Sequence, residues 1–217
     1  LRNIHLITAF SRYKNFPVLF EAYKSMNIFW HIILFQDEWE KFSELWTPYK
    51  DCGWVFPVVI PIPSKKYEGI HYNYKRNWFI KHCDIVDEDY YVTVDDDDMY
   101  EKNVFDKIKQ MDDDIVIISM KRGHHIPKDV PDIRKYPTST LIAHPDNVKV
   151  AFISSQQFFV KGKIFREHLF NKESHCADGE MIVHYKESGE QIRYEPTLFV
   201  LFNYYEPGRW NRNKKTT

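Results

Sequence analysis

Hydrophobic residues along the chain fall into short runs separated by amphipathic stretches, and their spacing predicts strands and helices in alternation. Residues 4–9 (IHLITA) form an apolar run rich in β-branched side chains and read as a buried strand. A loop carrying Ser11-Arg12 follows, then a helix entered at Pro17 and running to about Met26. Residues 29–35 (FWHIILF) predict a second buried strand, 38–49 an amphipathic helix, and 54–60 (WVFPVVI) a third strand broken by Pro57. Basic and apolar residues recur at helical spacing over 73–83. Residues 90–94 (YYVTV) then read as a strand that runs directly into Asp95-Asp96-Asp97-Asp98. A helix over 102–111 and a buried strand over 115–120 (IVIISM) continue the pattern. Strands alternating with helices imply βαβ units, so the fold class is α/β with a mostly parallel sheet flanked by helices.

The regularity stops after Met120. Residues 121–147 contain Pro127, Pro131, Pro137 and Pro145, which predicts a functional loop region or lid rather than packed elements. Beyond it the pattern gives a strand over 156–160, a short helix over 162–169, a loop at 175–179, a helix over 180–188 and strand-like runs ending near Tyr205.

Composition narrows the classes. With 217 residues, 43% hydrophobic and 17% aromatic, the chain can build one domain around a sizeable core and is not disordered. No apolar run reaches the roughly 20 residues of a bilayer span, and the first ten residues lack a signal-peptide pattern. The expectation is a cytoplasmic protein without a transmembrane segment, with peripheral contact at the inner face of the membrane left open. Three widely spaced cysteines, Cys52, Cys83 and Cys176, form no CxxC pair and argue against a disulfide framework or zinc ribbon. A net charge of −1 selects neither nucleic acid nor an anionic membrane as partner. Charge is unevenly spread, however. Nine acids and no Lys or Arg lie between Asp84 and Glu101, whereas Arg209, Arg212, Lys214 and Lys215 close the chain without an acid after Pro207. The first pattern reads as a cation site, the second as a solvated basic tail able to fold over a phosphate.

The acidic run sits where an α/β sheet places ligands, outside the carboxyl end of a strand. Four adjacent carboxylates repel one another unless a cation or hydrogen-bond donors neutralise them, and a hard divalent ion with oxygen ligands, Mg²⁺ or Mn²⁺, suits them. A solvated acidic turn is the plain alternative.

A hydrophobic strand ending in Asp-x-Asp after a helix that carries Arg-Asn resembles the DxD motif of GT-A-fold glycosyltransferases, particularly family two. The resemblance runs through most of the chain. ITAFSRYKNFPVLFEAYKSM is similar to the family's opening strand, loop and first helix, IILFQDEW to its second strand ending in an acid, and ADGEMIVHYKESGEQIRYEPTLFV to the helix with an acidic base at its mouth. It implies a single GT-A-like, Rossmann-like domain over 1–217, with a nucleotide-sugar half (1–120), an acceptor half (121–205) and the basic tail (206–217). It implies a hexosyltransferase-type activity, Mn²⁺ or Mg²⁺ as cofactor, a nucleotide-sugar donor with UDP-sugar favoured, and a glycan or other hydroxyl acceptor. Carried over by position, Thr8, Ser11, Arg12, Asp37, Arg76, Asn77, Asp95 and Asp96 would bind donor, Asp95 and Asp97 the metal, and Asp178 or Glu180 would be the catalytic base of an inverting reaction.

Each of these residues also has a structural reading. Asp178 before Gly179 would cap a helix beginning at Glu180. Asp37 would be an N-cap with Glu40 completing a capping box. Arg76 would be a surface cation. The chain departs from the family in three places: the DxD is a run of four, the base motif reads Ala177-Asp178-Gly179-Glu180, and residues 202–207 lack the late His that completes many metal sites. His124-His125 and His175 show no zinc-ligand spacing, and Tyr67, Tyr72, Tyr74 and Trp78 serve equally as core or as stacking platforms. Two rival functions remain, a nucleotidyltransferase on a related sheet and a non-catalytic nucleotide- or carbohydrate-binding module.

Overall fold

The computed structural model describes residues 2–122 and 139–202. Its centre is a nine-stranded sheet. β1 (Ile4–Ala9), β2 (Phe29–Phe35), β3 (Val55–Ile60) and β4 (Tyr90–Thr93) form a parallel half in the order β3-β2-β1-β4. Beyond β4 the sheet is mixed. β8 (Phe158–Lys161) runs antiparallel to β4 and to β6 (Ile115–Arg122), and β9 (Ile192–Phe202) lies parallel to β6. β5 (Met99–Tyr100) and β7 (Ser139–Leu141) are short antiparallel partners of β9 and β6.

Successive strand residues face opposite sides of a sheet, so each strand feeds two cores. Leu6, Trp30, Ile32 and Val92 pack on one face against Phe16 and Leu19 of α1 (Phe16–Tyr23), Phe42 of α2 (Gln36–Trp46) and Phe105 of α4 (Val104–Ile108). Ile7, Ile33 and Tyr91 pack on the other against Phe79 of α3 (His71–His82), Phe165 of α5 (Gly162–Phe165) and Ile182 of α6 (Ala177–Glu187). Each fully buried large side chain contributes about 1.5–3 kcal/mol of transfer free energy, so both helical layers are held by burial.

Four local expectations change. β3 runs through Pro57, which is in register with Ile32, because β3 is an edge strand and tolerates a missing N–H. The second helix starts at Gln36, and Glu38 rather than Glu40 accepts from the backbone N–H of Phe35 at 2.7 Å. Asp37 therefore lies inside the first turn and is not the N-cap. The last helix starts at Ala177, so Asp178 also lies inside its first turn instead of capping it. Residues 102–111 yield only the five-residue α4. Of the acceptor region expected over 121–147, residues 123–138 lie outside the described residues, as does the basic tail. Among the described residues no helix is long and apolar enough to cross a membrane.

Candidate active site

The parallel half creates a crevice between the carboxyl ends of β1 and β4. β1 leads through α1 to β2 on one side of it, whereas β4 leads to β5, α4 and β6 on the other side, so the chain leaves these neighbouring strands in opposite directions along the sheet. β1 delivers Ser11 and Arg12 to the crevice, and β4 delivers the four aspartates.

The four aspartates divide into two roles. Asp96 turns its carboxylate to the β1 loop: Oδ2 accepts from the backbone N–H groups of Ser11 and Arg12, each at 2.6 Å, and from the Ser11 hydroxyl at 3.1 Å. The Arg12 guanidinium pairs with Oδ1, and Asn15 donates to the Asp96 carbonyl at 2.8 Å. These bonds make Asp96 the fastener of the β1 loop. Asp95, Asp97 and Asp98 present carboxylate oxygens that all lie within 4.8 Å of one another. The metal pair expected from the sequence, Asp95 and Asp97, is thus joined by Asp98. Arg12 Nη1 stands 2.9 Å from Asp97 Oδ1, and Tyr23 donates to the Asp98 carbonyl at 3.0 Å, which stiffens the turn. Loss of hydration pushes the Asp95 carboxyl above its ordinary value, Arg76 opposes this, and the charges of Asp178 and Asp96 reinforce it. Because 43% of the Asp95 side chain faces the cleft, the shift is smaller than full burial would give. An acid pushed upward by loss of hydration and by carboxylate neighbours holds its charge more readily beside a cation, and three clustered oxygen donors suit a hard divalent ion. The residues present fit such an ion.

Arg76 is not a surface cation: it is 2% exposed and spans the crevice. Its Nη2 lies 3.1 Å from Asp95 Oδ1 and its Nη1 3.0 Å from Asp178 Oδ1. The second oxygen of Asp178 accepts from the backbone N–H of Ser155 at 3.1 Å, and 19% of the side chain remains open to the cleft. Gly179 allows this arrangement, since a Cβ there would sit 2.9 Å from Cα of Val150 and push α6 off the segment that leads to Ser155. The cleft has a volume of about 230 Å³. Ser11, Arg12, Arg76, Asp95, Asp96 and Asp178 line it from the expected set, together with Tyr72, His175, Ser154, Ala9 and Phe202.

Four expected site residues are placed elsewhere. Thr8 is buried, with its hydroxyl accepting from the Trp30 indole at 2.9 Å in the core. Asn77 spends both ends of its amide on the backbone of Phe170, donating at 2.7 Å and accepting at 2.8 Å. Glu180 accepts from Ser174 and Asn171 and ties the loop before α6. Asp37 accepts from the Ser64 backbone and hydroxyl, both at 2.6 Å, which holds its carboxyl below the usual range. Asn77, Glu180 and Asn73, which donates to the carbonyls of Asn171 and Ser174, make residues 170–175 a firm wall of the cleft. Tyr72 and His175, 3.3 Å apart on that wall, were legible in sequence only as aromatic and imidazole side chains of many possible uses. Ser155 acts through its main chain and carries no side-chain signal at all.

No family model matches the chain, and no curated protein matches it. Among solved structures, the mannosyltransferase PcManGT from Pyrobaculum calidifontis, in complex with GDP-Man and Mn²⁺, matches over 95% of this chain with a TM-score of 0.59 and 11% identity. This chain has a GT-A-type glycosyltransferase fold. It spans 58% of the length of the mannosyltransferase. HddC from Yersinia pseudotuberculosis, complexed with GMP-PN, matches over 79% of this chain and 82% of its own, at a TM-score of 0.44 and 11% identity. The GT-A architecture was expected from the sequence, and in this chain Asp95, Asp96 and Asp178 line the cleft described above.

Proposed function

We propose that the chain is a divalent-metal-dependent glycosyltransferase that moves a sugar from a nucleotide-sugar donor to a hydroxyl acceptor with inversion. The observation that carries this reading is a shared cleft: Asp95, whose carboxylate clusters with those of Asp97 and Asp98 beneath it, and Asp178 line the same space, with Arg76 between them. A cation held by the three acids would supply positive charge to the leaving diphosphate. Arg12 and Ser11, fixed by Asp96, form the donor-side wall. Asp178 takes the proton of the acceptor hydroxyl as its oxygen bonds to the sugar's anomeric carbon. The bond from that carbon to the diphosphate breaks, and its electron pair leaves with the diphosphate.

The mannosyltransferase neighbour holds GDP-Man, which gives the UDP preference expected from the resemblance no support. A thermal-shift panel of GDP- and UDP-sugars with Mn²⁺, Mg²⁺ or chelator tests donor and metal together. The expected result is stabilisation by one nucleotide sugar only when a divalent ion is present, and stabilisation that ignores the ion counts against the reading.

One observation favours a second reading. Both oxygens of Asp178 already have partners, as a purely structural acid would, and a nucleotidyltransferase needs no base there. Release of pyrophosphate from a nucleoside triphosphate would establish that alternative.

A further inference from the structure

Arg76 enters the cleft from α3, and its two terminal nitrogens address acids on different elements, Asp95 after β4 and Asp178 in α6. The rings of Tyr72 and Phe170 each lie 5.2 Å from the guanidinium carbon, so aromatic faces hold the group in place. Its Nε makes no hydrogen bond among the described residues, which leaves the two acids as the partners of the charge. A buried guanidinium that bridges two carboxylates makes them interdependent. Whatever draws Asp95 away leaves more of the positive charge to Asp178, and neutralising Asp178 binds Arg76 more firmly to Asp95.

We propose that Arg76 is a positioning residue that couples occupation of the cation site at Asp95, Asp97 and Asp98 to the placement of the Asp178 carboxylate. The inference rests on the reading above, in which Asp95 holds metal and Asp178 is the base. Before a cation binds, the guanidinium is shared between Asp95 and Asp178. When Asp95 turns to the cation, Arg76 is left to Asp178, whose other oxygen is already fixed by the Ser155 N–H. Its contact with Asp178 is then no longer shared with Asp95, so the base is held more firmly at its two existing points at the stage when a donor can be bound beside it. A lysine cannot reproduce this, because one ammonium lacks the planar fork that serves two acids at once.

The test is calorimetric titration of Mn²⁺ alone into the full chain, for wild type, Asp178→Asn, Arg76→Met and the double variant, with folding verified by circular dichroism. Asp178→Asn should weaken Mn²⁺ binding about 5- to 10-fold in the wild-type background, since Arg76 then competes harder for Asp95, and less than about twofold with Arg76→Met. The direct influence of the Asp178 charge on the ion is common to both backgrounds and cancels in the comparison. Where Arg76→Met does not fold, Arg76→Lys takes its place, and the effect of Asp178→Asn should shrink in the same way. Equal weakening in both backgrounds overturns the coupling and leaves the proposed function standing. No Mn²⁺ binding by wild type overturns both.

Discussion

The Asp96 carboxylate lies 2.6 Å from the backbone N–H of Arg12 and pairs with the guanidinium of the same residue, so one side chain of the aspartate run holds the β1 loop by main chain and side chain together. Removing one partner of a buried ion pair costs about 3–5 kcal/mol, because the other charge is left buried and alone. Asp96→Ala should therefore lower the unfolding midpoint strongly. Asp97→Asn should cost less, because its amide oxygen can still accept from Arg12, Asp96 still pairs with that guanidinium, and repulsion in the acid cluster falls; it should abolish Mn²⁺-dependent nucleotide binding. Denaturant titration and calorimetry on the two variants separate the roles, and an Asp96→Ala protein as stable as Asp97→Asn would contradict the division.

Thr8 and Asn77 were expected at the donor and are instead tied to Trp30 and Phe170. Thr8→Val should cost about 1 kcal/mol, the net worth of one hydrogen bond, and Asn77→Ala more, since it orphans a buried N–H and carbonyl. Nucleotide affinity should stay within about threefold of wild type for Thr8→Val. A tenfold loss of nucleotide affinity there, at unchanged stability, would return Thr8 to the donor site.

The sheet carries an acid-sensitive pair away from the cleft. His5 Nδ1 and His31 Nε2 are 2.9 Å apart across β1 and β2, and His5 Nε2 lies 3.3 Å from Asp89. Burial, with the neighbouring His5, pushes His31 down to about 3, and burial lowers His5 against the pull of Asp89. Both folded-state values lie below the unfolded one, so the unfolded chain binds more protons in acid. Their contribution is complete above about pH 6.5 and is lost as pH falls toward 3, on the order of 1 kcal/mol per pH unit for His31. Unfolding midpoints between pH 7 and 4.5 should fall in wild type and flatten in His31→Phe. An equally steep fall in the variant would assign the acid sensitivity elsewhere.

Much of this architecture was legible because the chain states it locally. IHLITA, FWHIILF and YYVTV are apolar runs bounded by loops, and an acid run directly after a buried strand marks a strand exit in any parallel sheet. What was not legible depends on contacts between distant segments. Nothing near Asp96 in sequence shows that it, and not Asp95, faces the Ser11-Arg12 loop, and Asp98 looked like one more acid in a run of four. Asn77 and Glu180 looked like site residues because they lie one and two positions from Arg76 and Asp178, yet those steps along a helix turn a side chain by about 100° and about 200°, and both face the loop at 170–174. Arg76 was read by type alone, so its burial between two acids could emerge only from packing.

Replacing the Asp178 carboxylate by its amide separates base from scaffold. Asp178→Asn keeps an acceptor for the Ser155 N–H and loses the proton acceptor. At saturating Mn²⁺, transfer should drop by roughly 10²- to 10⁴-fold in kcat with donor affinity nearly constant. Glu180→Gln, which alters only the tie to Ser174 and Asn171, should retain most turnover. Near-normal transfer by Asp178→Asn with crippled transfer by Glu180→Gln would move the base to Glu180.

The most direct measurement is proton NMR of the full chain with a nucleotide-sugar donor and Mn²⁺, with water standing in for the unidentified acceptor, recorded early enough to observe the first-formed anomer. The expected result is free sugar of inverted configuration with release of the nucleoside diphosphate, abolished by chelator and by Asp178→Asn. Retained configuration, or turnover that persists in chelator, would contradict the account.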